Sequence, residues 1–189
     1  MKVLIIPEDP LNDQYILKPI VERIFKDLGK PARVEVLQDP RLRSVNQALD
    51  RKQVADIVDD NRMVDLFLLM VDRDCDREGN SAKAKAREEE HACKLLACLA
   101  VEEVEVWMLA LHRTDQRFKP WNSVRKECDP KEVYAQPFLE EEGWDAEVGG
   151  GYKRGMRELS AGWKGLLKAC PEINDLKARV AAKLAVPGS

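Results

Sequence analysis

The sequence lacks several features that would assign it to a common class of protein. It has five cysteines among 189 residues and no C-x-x-C pair, so we expect neither a disulfide framework nor a zinc cluster. Its apolar runs are far shorter than the roughly 18 residues of a membrane span. The first ten residues, MKVLIIPEDP, contain an apolar run that is too short for a signal peptide. We therefore expect a protein of the reducing cytoplasm with no membrane partner.

The sequence also lacks a recognisable motif for nucleophilic catalysis and a strong overall charge. The two histidines, His91 and His112, form no catalytic pair, and no serine or cysteine stands in a recognisable nucleophile motif. The formal net charge of -3 gives no general attraction for nucleic acid, so binding of that kind requires a local basic patch.

Strand-like and helix-like patterns alternate along the first part of the chain. Short apolar runs predict strands at 3–6, 33–37, 66–71 and 99–101, and helical spacing of apolar residues predicts helices at 12–28, 44–60, 81–96 and 103–112. This order predicts an α/β fold of three layers with a largely parallel sheet over residues 1–112. The pattern over residues 113–189 predicts a loop followed by helices at 129–141, 152–169 and 172–184. We expect these helices to form a C-terminal extension that packs on the core.

Acidic residues follow two of the predicted strands. Glu8 comes after the first strand, and Asp72 and Asp74 come directly after the third. Because the carboxyl ends of parallel strands share one edge of a sheet, we expect these side chains to converge. Converging carboxylates share protons or bind a hard divalent cation, and oxygen ligands suit Mg²⁺ or Mn²⁺. Helix capping and solvation explain single acids at such positions, but a metal site explains the set better.

A third acidic segment follows the fourth predicted strand. Either Glu103 or Glu105 in AVEEVEVWML has the position to complete a metal site, although the helix dipole alone favours a glutamate in a first turn. An EF-hand is excluded, because Arg77 and Lys83 stand where that loop needs glycine and glutamate.

A glycine-rich basic stretch, GGGYKRGMR, lies near the C-terminal helices. It matches no nucleotide-binding loop. Lys153, Arg154 and Arg157 beside Tyr152 suit a phosphate backbone. An exposed helix start explains the same residues equally well.

The order of these residues resembles the TOPRIM pattern of topoisomerases, primases and OLD-type nucleases. In that pattern a glutamate follows the first strand, as Glu8 does here, and a D-x-D follows a later strand, as Asp72 and Asp74 do. The resemblance is closer to the bacterial domain-of-unknown-function family 4276, whose E-x-W element is matched by Glu105 and Trp107 and whose glycine-rich basic loop is matched by residues 149–153.

This resemblance implies a TOPRIM/Rossmann-like fold and a Mg²⁺- or Mn²⁺-dependent nuclease. It implies that Glu8, Asp72, Asp74 and Glu105 are the metal ligands and catalytic residues, and that Lys153, Arg154 and Arg157 bind DNA or RNA. It also implies that the protein is the effector of an antiphage defence system with an ABC- or AAA-type ATPase partner. The resemblance is also compatible with a homo-oligomer.

Two other functions fit the same residues. A TOPRIM-like fold that has lost catalysis is an interaction scaffold. A receiver-like signalling module uses Asp72 as its phosphoacceptor, but the sequence has no lysine after a clear fifth strand, and Asp74 crowds that position with charge.

Overall fold

A computed structural model describes residues 1–76 and 78–185. At the centre of this part of the chain lies a parallel sheet of four strands, β1 (Lys2–Pro7), β2 (Arg33–Val36), β3 (Leu66–Asp72) and β4 (Leu95–Ala100). The strands lie in the order β2-β1-β3-β4. The predicted three-layer α/β fold with a parallel sheet and a helical C-terminal part is confirmed.

Strand β3 is apolar along its length because both of its faces are buried. Leu66, Leu68 and Met70 belong to the core on one face of the sheet, and Phe67, Leu69 and Val71 belong to the core on the other. Burial on both faces is typical of a central parallel strand, and it explains why the strand shows no alternation with polar residues.

Helices cover both faces of the sheet. The helices of the first part are α1 (Gln14–Asp27), α2 (Val45–Ala48), α3 (Arg51–Asp60), α4 (Gly79–Glu90) and α5 (Glu105–Leu109). Helices α2 to α4 contribute to one core, and α1 and α5 contribute to the other.

Several predicted boundaries in this part are wrong. The predicted helix 44–60 is two helices, because the Asp50 carboxylate accepts the Gln53 N–H at 2.9 Å and starts α3 separately. The predicted helix 81–96 ends at Glu90, and β4 begins at Leu95 rather than at residue 99. The apolar run LLACLA fits a helix by its spacing, but pairing with β3 makes it a buried strand.

The chain after residue 112 is mostly helical. It comprises a 3-10 turn (Gln116–Phe118), α6 (Trp121–Val124), a π-helical turn (Lys131–Ala135), α7 (Gln136–Glu141), α8 (Tyr152–Gly155), a second 3-10 turn (Met156–Glu158), α9 (Leu159–Ala169) and α10 (Pro171–Ala185). The predicted helix 129–141 is therefore π-helical in its first part, and the predicted helix 152–169 is interrupted by a 3-10 turn. Side chains such as Phe118, Trp163 and Leu176 join the same core as α1. Within residues 1–76 and 78–185, no helix has the length and apolar character needed to cross a membrane.

Helices α4 and α10 together cover the outer edge of β4. The Ala97 N–H donates to the Glu88 carboxylate at 2.8 Å, and the Arg179 guanidinium donates to the Ala97 carbonyl oxygen at 2.5 Å. Arg179 and Glu88 also pair with each other at 2.8 Å. Two backbone groups on the open side of the end strand are therefore satisfied by an ion pair.

Candidate metal centre

The strand order places a topological switch point between β1 and β3. From β1 the sheet extends to β2 on one side, and from β3 it extends to β4 on the other. Open α/β sheets bind ligands outside the carboxyl ends of the strands at such a point. Glu8 directly follows β1 and Asp72 ends β3, so the acidic residues lie where this fold positions ligands.

Three carboxylates meet at this point: Asp72, Asp74 and Glu103. One oxygen from each lies within 4.8 Å of the others, and we call this group the carboxylate triad. Ligands of a single ion lie no further apart than twice the metal–oxygen distance, which is about 4.2 Å for Mg²⁺ and about 5 Å for Ca²⁺. The triad therefore fits a hard divalent cation after small side-chain adjustments.

Backbone donors orient two of the three carboxylates. The Val104 N–H donates to Asp72 Oδ1 at 2.8 Å, and the Lys131 N–H donates to Glu103 Oε2 at 2.7 Å. Both bonds fix the carboxylate planes, and a carboxylate has lone pairs left to coordinate an ion. Hydrogen bonds of this kind orient the side chains that bind a metal and affect its affinity.

A tight turn places the third carboxylate of the triad. The chain was expected to stay extended past Val71, but Asp74 and Cys75 have φ values of 52° and 54°. The turn is fixed by the Arg73 N–H, which donates to the Glu102 carbonyl oxygen at 2.8 Å. Asp74 joins Asp72 through this left-handed turn and not through strand alternation.

The buried Glu102 carboxylate also holds this turn in place. Its side chain is fully buried, and its Oε2 accepts hydrogen bonds from Arg73 Nε at 2.9 Å and from the Cys75 N–H at 3.1 Å. The Arg73 guanidinium pairs with the other carboxylate oxygen as well. A buried carboxylate is tolerated only when it is paired and hydrogen-bonded, as it is here.

A disulfide joins the turn to a distant loop. Cys75 and Cys128 are bonded, with their Cα atoms 5.5 Å apart and a separation of 53 positions in sequence. The expectation of no disulfide is therefore wrong for this pair. No short-range spacing signals the bond, because it is the fold that brings the loop before Lys131 against the turn after β3.

The predicted ligands Glu8 and Glu105 lie beside the triad but outside it. Glu105 is buried; it accepts the Tyr152 hydroxyl at 2.6 Å, and Lys131 Nζ lies 3.6 Å from it. Glu8 has one carboxylate oxygen that is buried without a hydrogen-bond partner in the described residues. Of the two glutamates that the sequence left open, Glu103 belongs to the triad. Ligand roles for Glu8 and Glu105 stay predictions.

Crowded and partly dehydrated carboxyls hold protons more tightly. Burial, followed by the charge of Asp74, raises the pKa of Glu8 to about 7, and burial raises the pKa of Glu103 to about 7. Burial, with Glu105 as the next raising cause, brings the pKa of Asp13 to about 8. Burial and then Glu105 also raise the pKa of Asp72 well above its usual range. A bound cation relieves this repulsion.

The raised pKa values predict that the metal-free protein loses stability as the pH rises. Between about pH 4 and pH 8 the folded state binds more protons than the unfolded chain, because Glu8, Glu103 and Asp13 have raised pKa values only when folded. The free energy of unfolding therefore falls across this window. We expect the melting temperature in EDTA to be several degrees lower at about pH 8.5 than at about pH 5.5.

Asp13→Asn is the matched variant for this measurement. The amide oxygen of asparagine still accepts the Asp9 N–H, which the Asp13 carboxylate accepts at 2.9 Å, but it carries no charge. The variant should melt higher than the wild type at high pH and like the wild type at low pH. A wild-type melting temperature that rises steadily over this range contradicts the assignment.

The predicted nucleic-acid-binding residues lie on and after α8. Lys153 and Arg157 are exposed. Arg154 is 3.6 Å from Glu147 and lies over the Trp144 ring at 5.4 Å from its centroid. Their role in binding nucleic acid stays a prediction.

The glycine-rich loop itself reaches the acidic region. Gly149, Gly150 and Tyr152 line a cavity of about 240 Å³ together with Lys131. Gly151 has a φ of 85°, and a Cβ there would lie 2.8 Å from the Trp144 carbonyl oxygen, so both the turn and the close approach require glycine.

Three cations near the acids were missed by the sequence analysis. Lys131, Arg41 and Arg43 line a second cavity, of about 540 Å³, together with Glu8 and Asp9. A usable signal was present: Arg41 and Arg43 follow β2, a parallel neighbour of β1, so the segment after its carboxyl end emerges at the same edge of the sheet. The sequence gives no comparable signal for Lys131, which lies early in the predicted helix 129–141.

Comparison of this chain with protein-family models, with curated proteins and with solved structures finds no match.

Proposed function

We propose that this protein is a Mg²⁺-dependent phosphodiesterase of the nuclease type, acting on DNA or RNA. The observation that carries the proposal is the carboxylate triad at the switch point of a parallel sheet. Acidic oxygen ligands that leave room for water and substrate are the usual holders of Mg²⁺ at phosphate-processing sites. The resemblance to TOPRIM nucleases supports the same reaction class.

In this function Asp72, Asp74 and Glu103 hold the cation. A divalent cation at the triad supplies Lewis acidity toward a phosphate oxygen and makes water a stronger acid. Lys131 contacts Glu103 through its backbone N–H and lies with its ammonium 3.6 Å from Glu105, where that charge offsets acidic charge, and the residue lines both cavities. Glu8 lies beside the triad and lines the second cavity, where its carboxylate is positioned to accept a proton from an attacking water.

The receiver-like alternative is disfavoured by the triad geometry. A phosphoryl group on Asp72 would lie against the Glu103 and Asp74 carboxylates, whose oxygens are within 4.8 Å, and like charges at such distances repel strongly. The non-catalytic scaffold is the outcome in which the triad has no role in activity. We propose an ATPase as partner from the family resemblance alone.

Cleavage assays test this function. The purified protein is incubated with end-labelled single- and double-stranded DNA and RNA, with Mg²⁺, with Mn²⁺ or with EDTA, in the presence and absence of any ATPase encoded beside it. We expect metal-dependent cleavage that falls at least about 100-fold in Asp74→Asn and in Glu103→Gln, since even indirect partners of metal ligands cost 10- to 100-fold.

Asp76→Asn is the control for these variants. Asp76 is exposed, lies two residues from Asp74 and is outside the triad. Asparagine can still accept the Gly79 N–H that Asp76 accepts at 3.0 Å. Its cleavage rate should equal that of the wild type. Equal cleavage by all four proteins, or none under any condition, rejects the nuclease function in favour of the scaffold.

A further inference from the structure

The cavity lined by Glu8 and Lys131 is also lined by two arginines. We call this cavity of about 540 Å³ the Glu8 cavity; Arg41, Leu42 and Arg43 line it together with Glu8, Asp9 and Lys131. It lies next to the triad, because the backbone N–H of Lys131 binds the Glu103 carboxylate at 2.7 Å. An anion in this cavity would therefore lie close to both the candidate metal and the two arginines.

The two arginines are presented by an anchored segment. Leu42 is 2% exposed and belongs to the core of α2 and α3, whereas Arg41 and Arg43 on either side of it are exposed. Both arginines line the Glu8 cavity, one on each side of the buried Leu42. The Arg43 N–H donates to Gln47 Oε1 at 2.9 Å, which ties the segment to α2.

Neither guanidinium has a partner in the part of the chain that the structure describes. Some exposed arginines elsewhere on the surface are paired: Arg33 lies 2.7 Å from Glu35, and Arg51 lies 3.1 Å from Glu90. Arg41 and Arg43 remain without an ion pair although the acidic cavity wall contains Glu8 and Asp9. Two unpaired guanidiniums at one wall have ten N–H donors to offer, in the planar geometry that suits phosphate oxygens.

We propose that Arg41 and Arg43 form a phosphate-binding subsite for the backbone of a nucleic-acid strand. This inference rests on the proposed nuclease function and adds to it the path of the substrate. The strand enters across the end of β2, its backbone phosphate pairs with the two guanidiniums, and its next linkage reaches the triad past Lys131. The carboxylates at the sheet edge alone would repel nucleic acid, and the two arginines provide a basic surface next to them that attracts it.

Binding in the absence of metal tests the subsite separately from catalysis. The probe is a fluorescein-labelled single-stranded 20-mer, as DNA and as RNA, titrated with protein in EDTA at several salt concentrations. For Arg41→Gln/Arg43→Gln we expect affinity about tenfold lower and a slope of log K against log salt that is smaller by about 0.7, since the two guanidiniums share one phosphate and a single-strand phosphate contact contributes about 0.7.

Arg33→Gln/Arg51→Gln is the control for charge, because it removes two exposed cations that are paired elsewhere on the surface. It should keep the wild-type affinity and slope. The subsite is rejected if Arg41→Gln/Arg43→Gln binds like the wild type, if both double variants lose the same affinity, or if the wild type binds neither probe.

The same proteins distinguish this inference from the nuclease function. If Arg41→Gln/Arg43→Gln loses binding in EDTA while no preparation cleaves nucleic acid with Mg²⁺, the subsite stands and the nuclease function fails. If the wild type cleaves and the arginine variant has unchanged affinity and salt slope, the function stands and the subsite fails.

Discussion

Asp72→Asn is expected to weaken the binding of Mn²⁺ by at least about 100-fold, measured by calorimetry at neutral pH. Asp72 supplies one of three oxygens that lie within 4.8 Å of one another, and the amide removes its negative charge while still accepting the Val104 N–H. A ligand contributes more than its hydrogen-bonding partners, whose loss alone costs 10- to 100-fold. The asparagine variant therefore isolates the charge and leaves the local hydrogen bond.

Glu8→Gln provides the informative comparison in the same titration. The sequence pattern makes Glu8 a ligand, whereas the structure places it beside the triad. We expect it to weaken Mn²⁺ binding less than Asp72→Asn does, and Asp76→Asn to leave binding unchanged. Equal losses in Asp72→Asn and Glu8→Gln would mean that the bound ion draws Glu8 into its coordination. Wild-type protein without saturable binding contradicts the metal centre.

Reduction of the Cys75–Cys128 disulfide is expected to lower the free energy of unfolding by about 4 kcal/mol. The bond closes a loop across 53 residues, and in the chain-entropy model a closure of this length restricts the unfolded chain by about that amount. The melting temperature of a domain this size should then fall by about 8–16 °C. Mn²⁺ affinity should fall as well, because Cys75 follows Asp74 directly and Cys128 lies three residues before Lys131.

Cys75→Ser/Cys128→Ser separates this effect from general effects of a reductant. The double variant should melt like the reduced wild type and should not respond to dithiothreitol, while Cys93→Ser, at an exposed free cysteine, should behave like the wild type. Thiol titration of the denatured, unreduced protein should find Cys93, Cys98 and Cys170 only. Identical melting of the wild type with and without reductant would contradict the expectation.

The sheet and the place of the acids were predictable because both depend on local patterns. The apolar run before Asp72 marks a strand buried on both faces, and a parallel sheet brings its carboxyl end beside that of β1. From these two facts, Glu8 and Asp72 had to lie at one edge. The same logic identified the segment after β4, where Glu103 completes the triad.

The remaining features depend on contacts between segments that are distant in sequence. The left-handed turn at Asp74 is held by Glu102, 28 residues later, and no local motif announces it. The disulfide partner Cys128 and the cation Lys131 arrive from the C-terminal extension. The split of the predicted helix 44–60 had a local signal, the capping residue Asp50, but continuous helical spacing of the apolar residues concealed it.

The ion pair at the outer edge of β4 has a consequence for assembly. An end strand normally offers free backbone groups to a strand from another chain, but the Ala97 N–H and carbonyl oxygen are bound by Glu88 and Arg179. A visiting strand would have to displace two helices and separate that pair. We therefore expect copies or partners of this protein to dock through side-chain surfaces rather than by continuing the sheet across a molecular boundary at β4.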